Sequence, residues 1–518
     1  MAERGPYRLG VDVGGTNTDA VILDRELKVV AKHKSETTTD VFGGIAAAMA
    51  AVLGEAGIGG GGVHRVMLGT THATNAVLER RELGRVSVVR IGGPATTAIP
   101  PLATWPDDLR AVVSAGEAII DGGFDFDGSE HVPFDEGQLV AFLDSLPEPP
   151  DAFAVTSIFA PVSDAHELRA AEIIRERHPD VPLSLSGSLG SIGLLERENA
   201  CVLNASLLTV ARRIVEGLER ASAEVGIDAV CYFAQNDGTL MAIDRVLSFP
   251  VLTIGSGPAN SMRGAAHLSG LDDAIVVDVG GTSTDIGVLA AGFPRESAVP
   301  VEIGGVRTNF RMPDLLAIAL GGGTVVTESS DELRIGPESV GHRLTTEAVC
   351  FGGDTTTLSD VANRAGRASF GTSSVDGLDA SLADRSLDEI DARFADGIDR
   401  MKLARSDQPV VAVGGGSVLV PAELPGVTEV VRPEHFEVGN AIGASIAAVS
   451  AEIDQFFSVE GEGREVVIER AKADAVGAAV ALGADPELTQ VVSLEELTMA
   501  YMTNNVIRLR IKAAGPLV

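Results

Sequence analysis

Two short stretches place aspartate, glycine and threonine side chains in the same order after an apolar strand. Residues 11–19 read VDVGGTNTD, residues 277–285 read VDVGGTSTD, and a second apolar run follows each stretch. The pattern predicts two β-hairpins whose glycines let backbone N–H groups approach an anion, because no Cβ intervenes. Aspartate cannot bind phosphate directly, so we expect it to hold Mg²⁺ or its waters, or to orient a nucleophile. Two such hairpins, one in each half of the chain, predict two related halves that face one nucleotide.

Two more glycine-rich turns also follow apolar strands. Residues 319–324 read ALGGGT and residues 410–417 read VVAVGGGS. The second of these turns lies where the second half of the molecule would need a turn against the adenosine of the nucleotide. We therefore expect Gly414, Gly415 and Gly416 to face the adenosine.

The elements that position these turns alternate between strand and helix. Apolar patterns predict three strands within residues 9–32, the third at 28–32, then a helix from about 43 to 55 and a long helix from 194 to about 224. The final stretch, 464–518, is predicted to add strands and a helix. Such alternation is typical of α/β layers.

Polar residues outside the glycine turns supply candidate substrate contacts. Thr70 or Thr71 begins a helix and could present its N-terminus to an anion, although simple helix capping explains the pattern equally well. Arg197 is a candidate anion contact, and Asn199 lies in the same turns of the long helix. A solvated, self-paired helix face is the alternative interpretation of these two residues.

The composition disfavours several classes of protein. With 73 Asp plus Glu against 40 Lys plus Arg, the 518-residue chain has a formal charge of −33, so nucleic-acid binding is not expected. Three widely separated cysteines disfavour a disulfide scaffold and a zinc site. The sequence contains no Gly-Lys pair, which excludes a P-loop. Without a signal-like N-terminus or a run of about 20 apolar residues, we expect a cytoplasmic protein with no membrane span.

Taken together, these segments resemble the actin/hexokinase/Hsp70-like ATPase superfamily. Residues 10–19 and 277–286 look like its two phosphate motifs, and residues 410–417 look like its adenosine motif. The helices predicted at 257–269 and 439–449 look like its two connecting helices.

More narrowly, the chain resembles the A subunit of the hydantoinase/oxoprolinase family from about residue 8 to 450. The segments that carry this resemblance are GTTHATN at 69–75, DGGFDFDG at 121–128, EREN at 196–199, SGP at 256–258, GPES at 336–339, CFGG at 350–353 and TLSD at 357–360. The resemblance implies an α/β fold with two ribonuclease-H-like (actin/hexokinase/Hsp70-type) lobes around an ATP cleft and a small C-terminal α/β appendage. We expect an N-terminal lobe with an inserted substrate-side segment at 1–190, a second ATPase lobe at 191–455 with helices shared between the lobes, and the appendage at 456–518.

The resemblance also implies ATP and Mg²⁺ as cofactors and gives roles to four catalytic aspartates. Asp12 and Asp278 would hold Mg²⁺ through waters. Asp19 or Asp285 would orient or deprotonate the acceptor. The expected phosphate-binding residues are Gly14, Gly15, Thr16, Gly280, Gly281, Thr282 and Ser283. The substrate-side candidates are Thr70, Thr71, Arg197, Asn199 and Asp360.

Relatives of this kind use ATP to activate a poorly electrophilic carbonyl. Phosphate on the carbonyl oxygen breaks amide resonance and supplies a leaving group, so that water opens the ring. The expected function is therefore an ATP-dependent hydrolase subunit for a cyclic amide (a hydantoin, lactam or oxoproline-like compound), with a separate B-type or other neighbouring-gene subunit as partner. A kinase for a small hydroxylated metabolite and an ATP-driven activating or conformational protein stay open as alternatives, as does a homo-oligomer. No His-x-His pair is present to build a metal-dependent cyclic amidohydrolase.

Overall fold

The computed structural model describes residues 5–15, 17–37, 41–189, 192–297, 300–309, 312–329, 332–402, 404–461, 463–497 and 506–517. In chain order the strands are β1 Tyr7–Val13, β2 Asn17–Leu23, β3 Val29–Glu36, β4 Val63–Thr70, β5 Val86–Gly93, β6 Ser114–Asp121, β7 Ala152–Ser157, β8 Leu183–Leu185, β9 Val230–Ala234, β10 Thr239–Ala242, β11 Ala274–Val279, β12 Thr284–Ala290, β13 Phe293–Pro294, β14 Val301–Ile303, β15 Val306–Thr308, β16 Leu315–Ile318, β17 Thr324–Ser329, β18 Glu332–Ser339, β19 Gln408–Val413, β20 Val427–Val431, β21 Ala448–Ser458, β22 Gln490–Leu497 and β23 Val506–Gly515. The α-helices are α1 Val41–Ala56, α2 His72–Glu79, α3 Asp107–Val113, α4 Glu136–Ser145, α5 Ala165–Arg177, α6 Leu194–Glu224, α7 Ile243–Ser248, α8 Ser256–Ser269, α9 Leu344–Glu347, α10 Leu358–Arg364, α11 Ala380–Met401, α12 Gly439–Ile446 and α13 Arg464–Ala481. Among these helices, none is both long enough and apolar enough to cross a membrane.

The first sheet is built on the first aspartate–glycine hairpin. Leu9, Val11 and Val13 alternate along β1 and are buried in one cluster with Ile45 and Met49 of α1. β1 pairs antiparallel with β2, and β2 pairs antiparallel with β3. β4 and β9 follow in parallel on the other side of β1. The order β3-β2-β1-β4-β9 is that of a ribonuclease-H-like lobe.

The second sheet repeats this order around the second hairpin. β11 pairs antiparallel with β12, β12 pairs antiparallel with β13, and β19 and β20 follow β11 in parallel. Helix α11 covers this sheet, since Ile390, Phe394 and Ile398 recur every four residues and are fully buried. The repeated order confirms the expected α/β fold with two related lobes.

A parallel sheet is inserted into the first lobe between β4 and β9. Its strands run in the order β6-β5-β7-β8, and each neighbouring pair is parallel. Helices α4 and α5 cover one face through a cluster that contains Leu139 and Ile174. Helix α6 covers the other face through a cluster that contains Val202 and Leu203.

The C-terminal strands extend the first sheet. β21 pairs parallel with β10, which pairs antiparallel with β9, and β23 and β22 continue the same sheet. Val467, Ala471 and Ala475 of α13, four residues apart, are fully buried against it. The segment expected to be an appendage is thus joined to the first lobe by strand pairing.

The domain limits 1–190, 191–455 and 456–518 stay a prediction, but the strand pairing divides the chain differently. Strands β9 and β10 belong to the first sheet, although they follow residue 191. The physical reason is the inserted sheet: α6 carries the chain back from it, so that β9 can pair with β4. Such long-range pairing leaves no local signal in the sequence.

Two glycine-rich helices, α8 and α12, pack closely where the lobes meet. Helix α12 contacts β1 and β4, and α8 contacts β11 and β12. A Cβ at Gly443 would lie 1.8 Å from the carbonyl oxygen of Asn260, and a Cβ at Gly264 would lie 2.0 Å from that of Gly439. Only glycine therefore permits this approach. The helix predicted at 439–449 ends earlier, at Ile446, because β21 begins at Ala448.

Candidate active site

The two hairpin tips have the same backbone geometry. The N–H of Gly14 donates to the carbonyl oxygen of Asn17 at 3.0 Å, and the N–H of Gly280 donates to that of Ser283 at 2.9 Å. The strands on both sides of each tip are antiparallel. The two hairpins predicted from the sequence are therefore confirmed.

Both tips line one cleft of about 580 Å³. Asp12 is the cross-strand partner of Asp19, and Asp278 is the partner of Asp285, so each hairpin presents two carboxylates to the same space. The other sequence-predicted residues that line the cleft are Gly14, Gly15, Thr71, Gly280, Gly281, Thr282, Ser283, Gly414, Gly415 and Gly416. Thr16 lies outside the described residues. The fold thus brings together the residues expected to contact Mg²⁺, the phosphates and the adenosine.

Burial raises the pKa values of all four carboxyl groups, and repulsion by neighbouring carboxylates adds to the shift at Asp12, Asp19 and Asp285. Burial, and then the charge of Asp19, raise the pKa of Asp12 to about 7. Burial, and then the charge of Asp278, raise the pKa of Asp285 to about 6. Burial also raises the pKa of Asp278 and of Asp19, and the charge of Asp278 acts on Asp19 across the cleft. The cleft therefore concentrates negative charge that a cation would stabilise.

These carboxylates fit a magnesium ion held through waters. Oδ1 of Asp12 is buried and has no hydrogen-bond partner among the described residues, whereas Oδ2 accepts a long 3.5 Å bond from Asn440. No described group of three or more His, Cys, Asp or Glu side chains is arranged to hold a metal ion by itself. Mg²⁺ typically binds one or two carboxylates, keeps waters and takes further ligands from phosphates. Asp12 and Asp278 would hold it here, where it would neutralise phosphate charge.

The raised pKa of Asp12 predicts how the stability of the nucleotide-free protein depends on pH. A folded-state pKa raised from 3.8 to about 7 contributes stability that is fully present below about pH 4 and is lost as the pH rises through 7. Asp12→Asn removes this dependence. Relative to the variant, wild type should lose about 2 kcal/mol of unfolding free energy between pH 5.5 and pH 8. Urea denaturation at both pH values measures the difference in unfolding free energy between wild type and Asp12→Asn. The same difference at the two pH values would contradict the prediction.

Glycines leave room for the carboxylates of Asp12 and Asp278, the two residues expected to hold Mg²⁺. Gly414 has φ +82°, and a Cβ there would lie 2.3 Å from Oδ1 of Asp278. In the first lobe, a Cβ at Gly69 would lie 2.2 Å from Oδ1 of Asp12. The first glycine of the expected adenosine turn thus also accommodates the buried carboxylate beside it.

The glycine turn at 319–324 supports the second hairpin. The N–H of Gly322 donates to the carbonyl oxygen of Gly280 at 3.0 Å, and that of Gly323 donates to Gly281 at 2.7 Å. The turn therefore holds the tip in place, and its Gly322 also lines the cleft, a role that its sequence did not reveal.

Lys34 is a cleft residue that sequence reasoning missed. Among the described residues that line the cleft it is the one Lys or Arg, and its Nζ lies 2.7 and 2.8 Å from the two carboxylate oxygens of Asp19. β3 extends from Val29 to Glu36, beyond the strand predicted at 28–32, and this makes Lys34 the cross-strand partner of Asp19. Opposite charges on neighbouring strands were the available signal, which the shorter predicted strand hid. Asn17, Glu437 and Asn440 also line the cleft.

Lys34→Met should weaken ATP binding by about ten- to a hundredfold, the range expected for one charge-assisted contact. The variant removes the cation that opposes the carboxylates of Asp12, Asp19 and Asp278, so the phosphates lose an attractive partner. Titration calorimetry with ATP measures the change. Lys472→Met, at a half-buried lysine far along the chain on α13, is the matched control and should bind ATP like wild type. Equal affinities for Lys34→Met and wild type would contradict this role.

Two substrate-side candidates on α6 do not reach the cleft. Arg197 is 1% exposed, and it donates from Nε to the hydroxyl of Ser186 at 3.0 Å. Asn199 accepts a 2.7 Å hydrogen bond from Trp105 Nε1 and donates to the carbonyl oxygen of Arg307 at 2.8 Å. The alternative of a solvated helix face is wrong as well, because this end of α6 is buried against the inserted sheet.

Two further candidates also lie away from the described cleft lining. Thr70 shares a 2.6 Å hydrogen bond with His72. Asp360 caps α10: it accepts from the N–H of Thr357 at 2.7 Å and from that of Cys350 at 2.6 Å. The Thr-x-x-Asp spacing of TLSD is a capping-box pattern, so the sequence did contain a signal for this arrangement. Of the five candidates, only Thr71 lines the cleft.

Two family models match successive parts of this chain. The model described as hydantoinase/oxoprolinase N-terminal region matches residues 8–178, and the model described as hydantoinase/oxoprolinase matches residues 197–401. The first match ends directly after α5, which covers the inserted sheet, and the second match contains the second hairpin. Together they include both hairpins of the cleft.

Individual relatives agree with these matches. The alpha subunit of caprolactamase from Pseudomonas jessenii is 27% identical over 366 residues, which are 67% of this chain and 52% of that protein. The gamma subunit of acetophenone carboxylase from Aromatoleum aromaticum is 26% identical over 385 residues, 68% of this chain and 52% of that protein. The chain thus spans about half the length of the curated relatives it matches.

A solved structure shares the fold. The crystal structure of ATP-dependent caprolactamase from Pseudomonas jessenii superposes with a TM-score of 0.77 at 21% identity, covering 98% of this chain and 87% of that one. Because the superposition covers nearly the whole of this chain, the two chains share one overall fold. With both family models matched in order along the sequence, this chain belongs to the hydantoinase/oxoprolinase family.

Proposed function

We propose that this chain is the ATP-binding subunit of an enzyme that phosphorylates the carbonyl of a cyclic amide and so activates it for ring opening. One observation carries the proposal: two aspartate–glycine hairpins, one from each lobe, present four carboxylates to a single cleft. That arrangement suits a magnesium-bound triphosphate. The caprolactamase relative is named for an enzyme that acts on a lactam, which supports the choice of a cyclic amide.

The reaction begins with transfer of the γ-phosphoryl group to the carbonyl oxygen, which releases ADP. Water then adds to the carbonyl carbon, the C–N bond breaks as the nitrogen takes a proton, and an acyl phosphate forms. A second water displaces inorganic phosphate, so one ATP and two waters give the ring-opened amino acid, ADP and phosphate. Because phosphoryl transfer depends on positioning and charge neutralisation, the protein needs no strong nucleophile.

The cleft residues divide these tasks. The backbone of Gly14, Gly15, Gly280 and Gly281 would bind the phosphates, with the hydroxyls of Thr282 and Ser283; Gly414 to Gly416 would border the adenosine. Asp285 suits the role of orienting or deprotonating the acceptor, because its pKa of about 6 lies close to neutrality. Asp19 suits it less, because both of its oxygens are bonded to Lys34.

A separate protein subunit completes the proposed enzyme. Both curated relatives are named as subunits, and this chain spans about half of each. We propose that a B-type or other neighbouring-gene partner contributes to the ring-opening step.

An oxygen-labelling experiment tests this function. The complex with its partner is incubated with ATP and a lactam or hydantoin that carries ¹⁸O at the carbonyl. Label in the inorganic phosphate, with ring-opened product, is the expected result, because the carbonyl oxygen leaves with phosphate. A stable phosphorylated metabolite would indicate a kinase. Unlabelled phosphate with ring opening would contradict the proposed route, in which the second water attacks the acyl carbon and the carbonyl oxygen leaves on phosphate.

A carboxylase subunit is the second candidate, favoured by the match to acetophenone carboxylase. A ketone would then lose an α-proton as its oxygen accepts the phosphoryl group. The α-carbon of the resulting enol phosphate would attack CO₂ formed from bicarbonate as phosphate is released. ATP consumption that requires a ketone with bicarbonate, and not a cyclic amide, would select this candidate.

A further inference from the structure

A second cavity, of about 300 Å³, lies where three parts of the chain meet. Pro161 and the loop 187–189 come from the inserted sheet, the turn 235–237 and residues 450–455 come from the first lobe, and Glu296 comes from the segment after β13. None of the described residues that line this cavity also lines the ATP cleft. Its volume is at the lower end of the range for small-molecule sites, roughly 300–1,000 Å³.

Most charges in the cavity wall already have partners. The buried ammonium of Lys512 lies 2.9 Å from Asp237 and 3.0 Å from Glu296. Arg510 pairs with Asp454 at 3.1 Å. The carboxylates of Asp237, Glu296 and Asp454 are therefore already paired with cationic side chains of this chain, and they do not need a bound cation.

Arg245 is different from these residues. It lines the cavity, yet it makes no hydrogen bond or ion pair within the described part of the chain. Its guanidinium carbon lies 5.1 Å from the centre of the Phe249 ring, a cation–π contact that leaves the N–H groups without acceptors. Burial lowers the pKa of Arg245, in keeping with a charge partly removed from water.

We propose that this cavity is a second ligand site, which binds a small molecule through a carboxylate held by Arg245. A guanidinium group can bind a carboxylate through two parallel hydrogen bonds. Because Arg245 already stacks on Phe249, its side chain loses little conformational freedom when it binds the ligand. The identification of that ligand as the ring-opened product, an amino or ureido carboxylate, rests on the proposed function; the carboxylate site does not.

Titration calorimetry on the whole chain without ATP tests the site. The probes are 6-aminohexanoate, 5-aminovalerate and N-carbamoylglycine, each compared with its uncharged amide. We expect at least one acid to saturate a single site below about 10 mM and its amide to bind at least about tenfold more weakly. Arg245→Met should lose at least about tenfold in affinity for that acid while it keeps wild-type affinity for ATP, which shows that it is folded. Arg212→Met, at an exposed arginine of α6, is the matched control.

Two results would overturn the proposal: no acid of the panel saturates the wild type, or Arg245→Met binds the acids as wild type does. The test is separable from the test of the catalytic cleft. Asp278→Asn should keep full carboxylate affinity, because Asp278 does not line the second cavity. Carboxylate binding together with a failed ring-opening assay would reject the hydrolase and retain the site.

Discussion

Replacing Asp278 with asparagine should reduce ATP turnover at least about a hundredfold, the range seen when one preorganised electrostatic group is removed from an active site. Asparagine keeps the size of the side chain and removes the charge that would hold Mg²⁺ against the phosphates. Because burial raises the pKa of Asp278, its ionised form is a cost to the folded protein. The variant should therefore be at least as stable as wild type near pH 8.

Steady-state release of phosphate and urea denaturation of the same preparation measure the two effects. Asp384→Asn, at an exposed position of α11, is the matched control and should change neither. Turnover within a few-fold of wild type in Asp278→Asn would remove this residue from the catalytic machinery. Lost turnover accompanied by lost stability would point to misfolding instead of lost charge.

Replacing Glu198 with glutamine should lower the free energy of unfolding by about 3–5 kcal/mol, the usual cost of breaking a buried ion pair. Glu198 is 1% exposed and receives two hydrogen bonds from Arg90, at 2.6 and 2.5 Å, whose side chain is fully buried. The substitution leaves the guanidinium of Arg90 buried without its counter-charge. This pair joins β5 of the inserted sheet to α6, so its loss should loosen that sheet from the first lobe.

An exposed pair of the same geometry gives the control. Arg169 donates two hydrogen bonds to Glu136, at 2.8 and 3.0 Å, on the surface of α5 and α4. Glu136→Gln should cost less than about 1 kcal/mol, because water and ions screen the pair. The double variant Arg90→Met/Glu198→Leu should recover most of the lost stability. A loss below about 1 kcal/mol for Glu198→Gln would contradict the account of this pair.

The parts of the site that the sequence predicted are those with local chemistry. The sequence of each hairpin is enough to predict it, because two apolar strands flank glycines that fix the turn. Since the same hairpin occurs twice, Asp12 and Asp278 could be expected to share a cleft. Gly414 follows directly after a buried strand and could be recognised in the same way. Repetition of the motif then indicated two related lobes.

The parts that were missed depend on contacts between distant residues. Lys34 becomes a cleft residue only through the register of β3 with β2. The predicted strand conceals this register because it ends at residue 32, four residues before Glu36. Arg197 is polar and near a family motif, but its partners come from β7 and the segment after β8, more than ten residues away. Strand β21 pairs with β10, some 200 positions earlier in the chain, and β23 and β22 then add to β21. Periodicity within 464–518 cannot indicate that this segment joins the first sheet.

Titration of MgATP into wild type, Asp12→Asn and Asp278→Asn is the most direct test of the claim that hairpins from both lobes bind one triphosphate between them. We predict one site per chain in wild type and at least about tenfold weaker binding in each single variant, although the two aspartates lie in different lobes. Full affinity in either variant, or two independent nucleotide sites per chain, would contradict it.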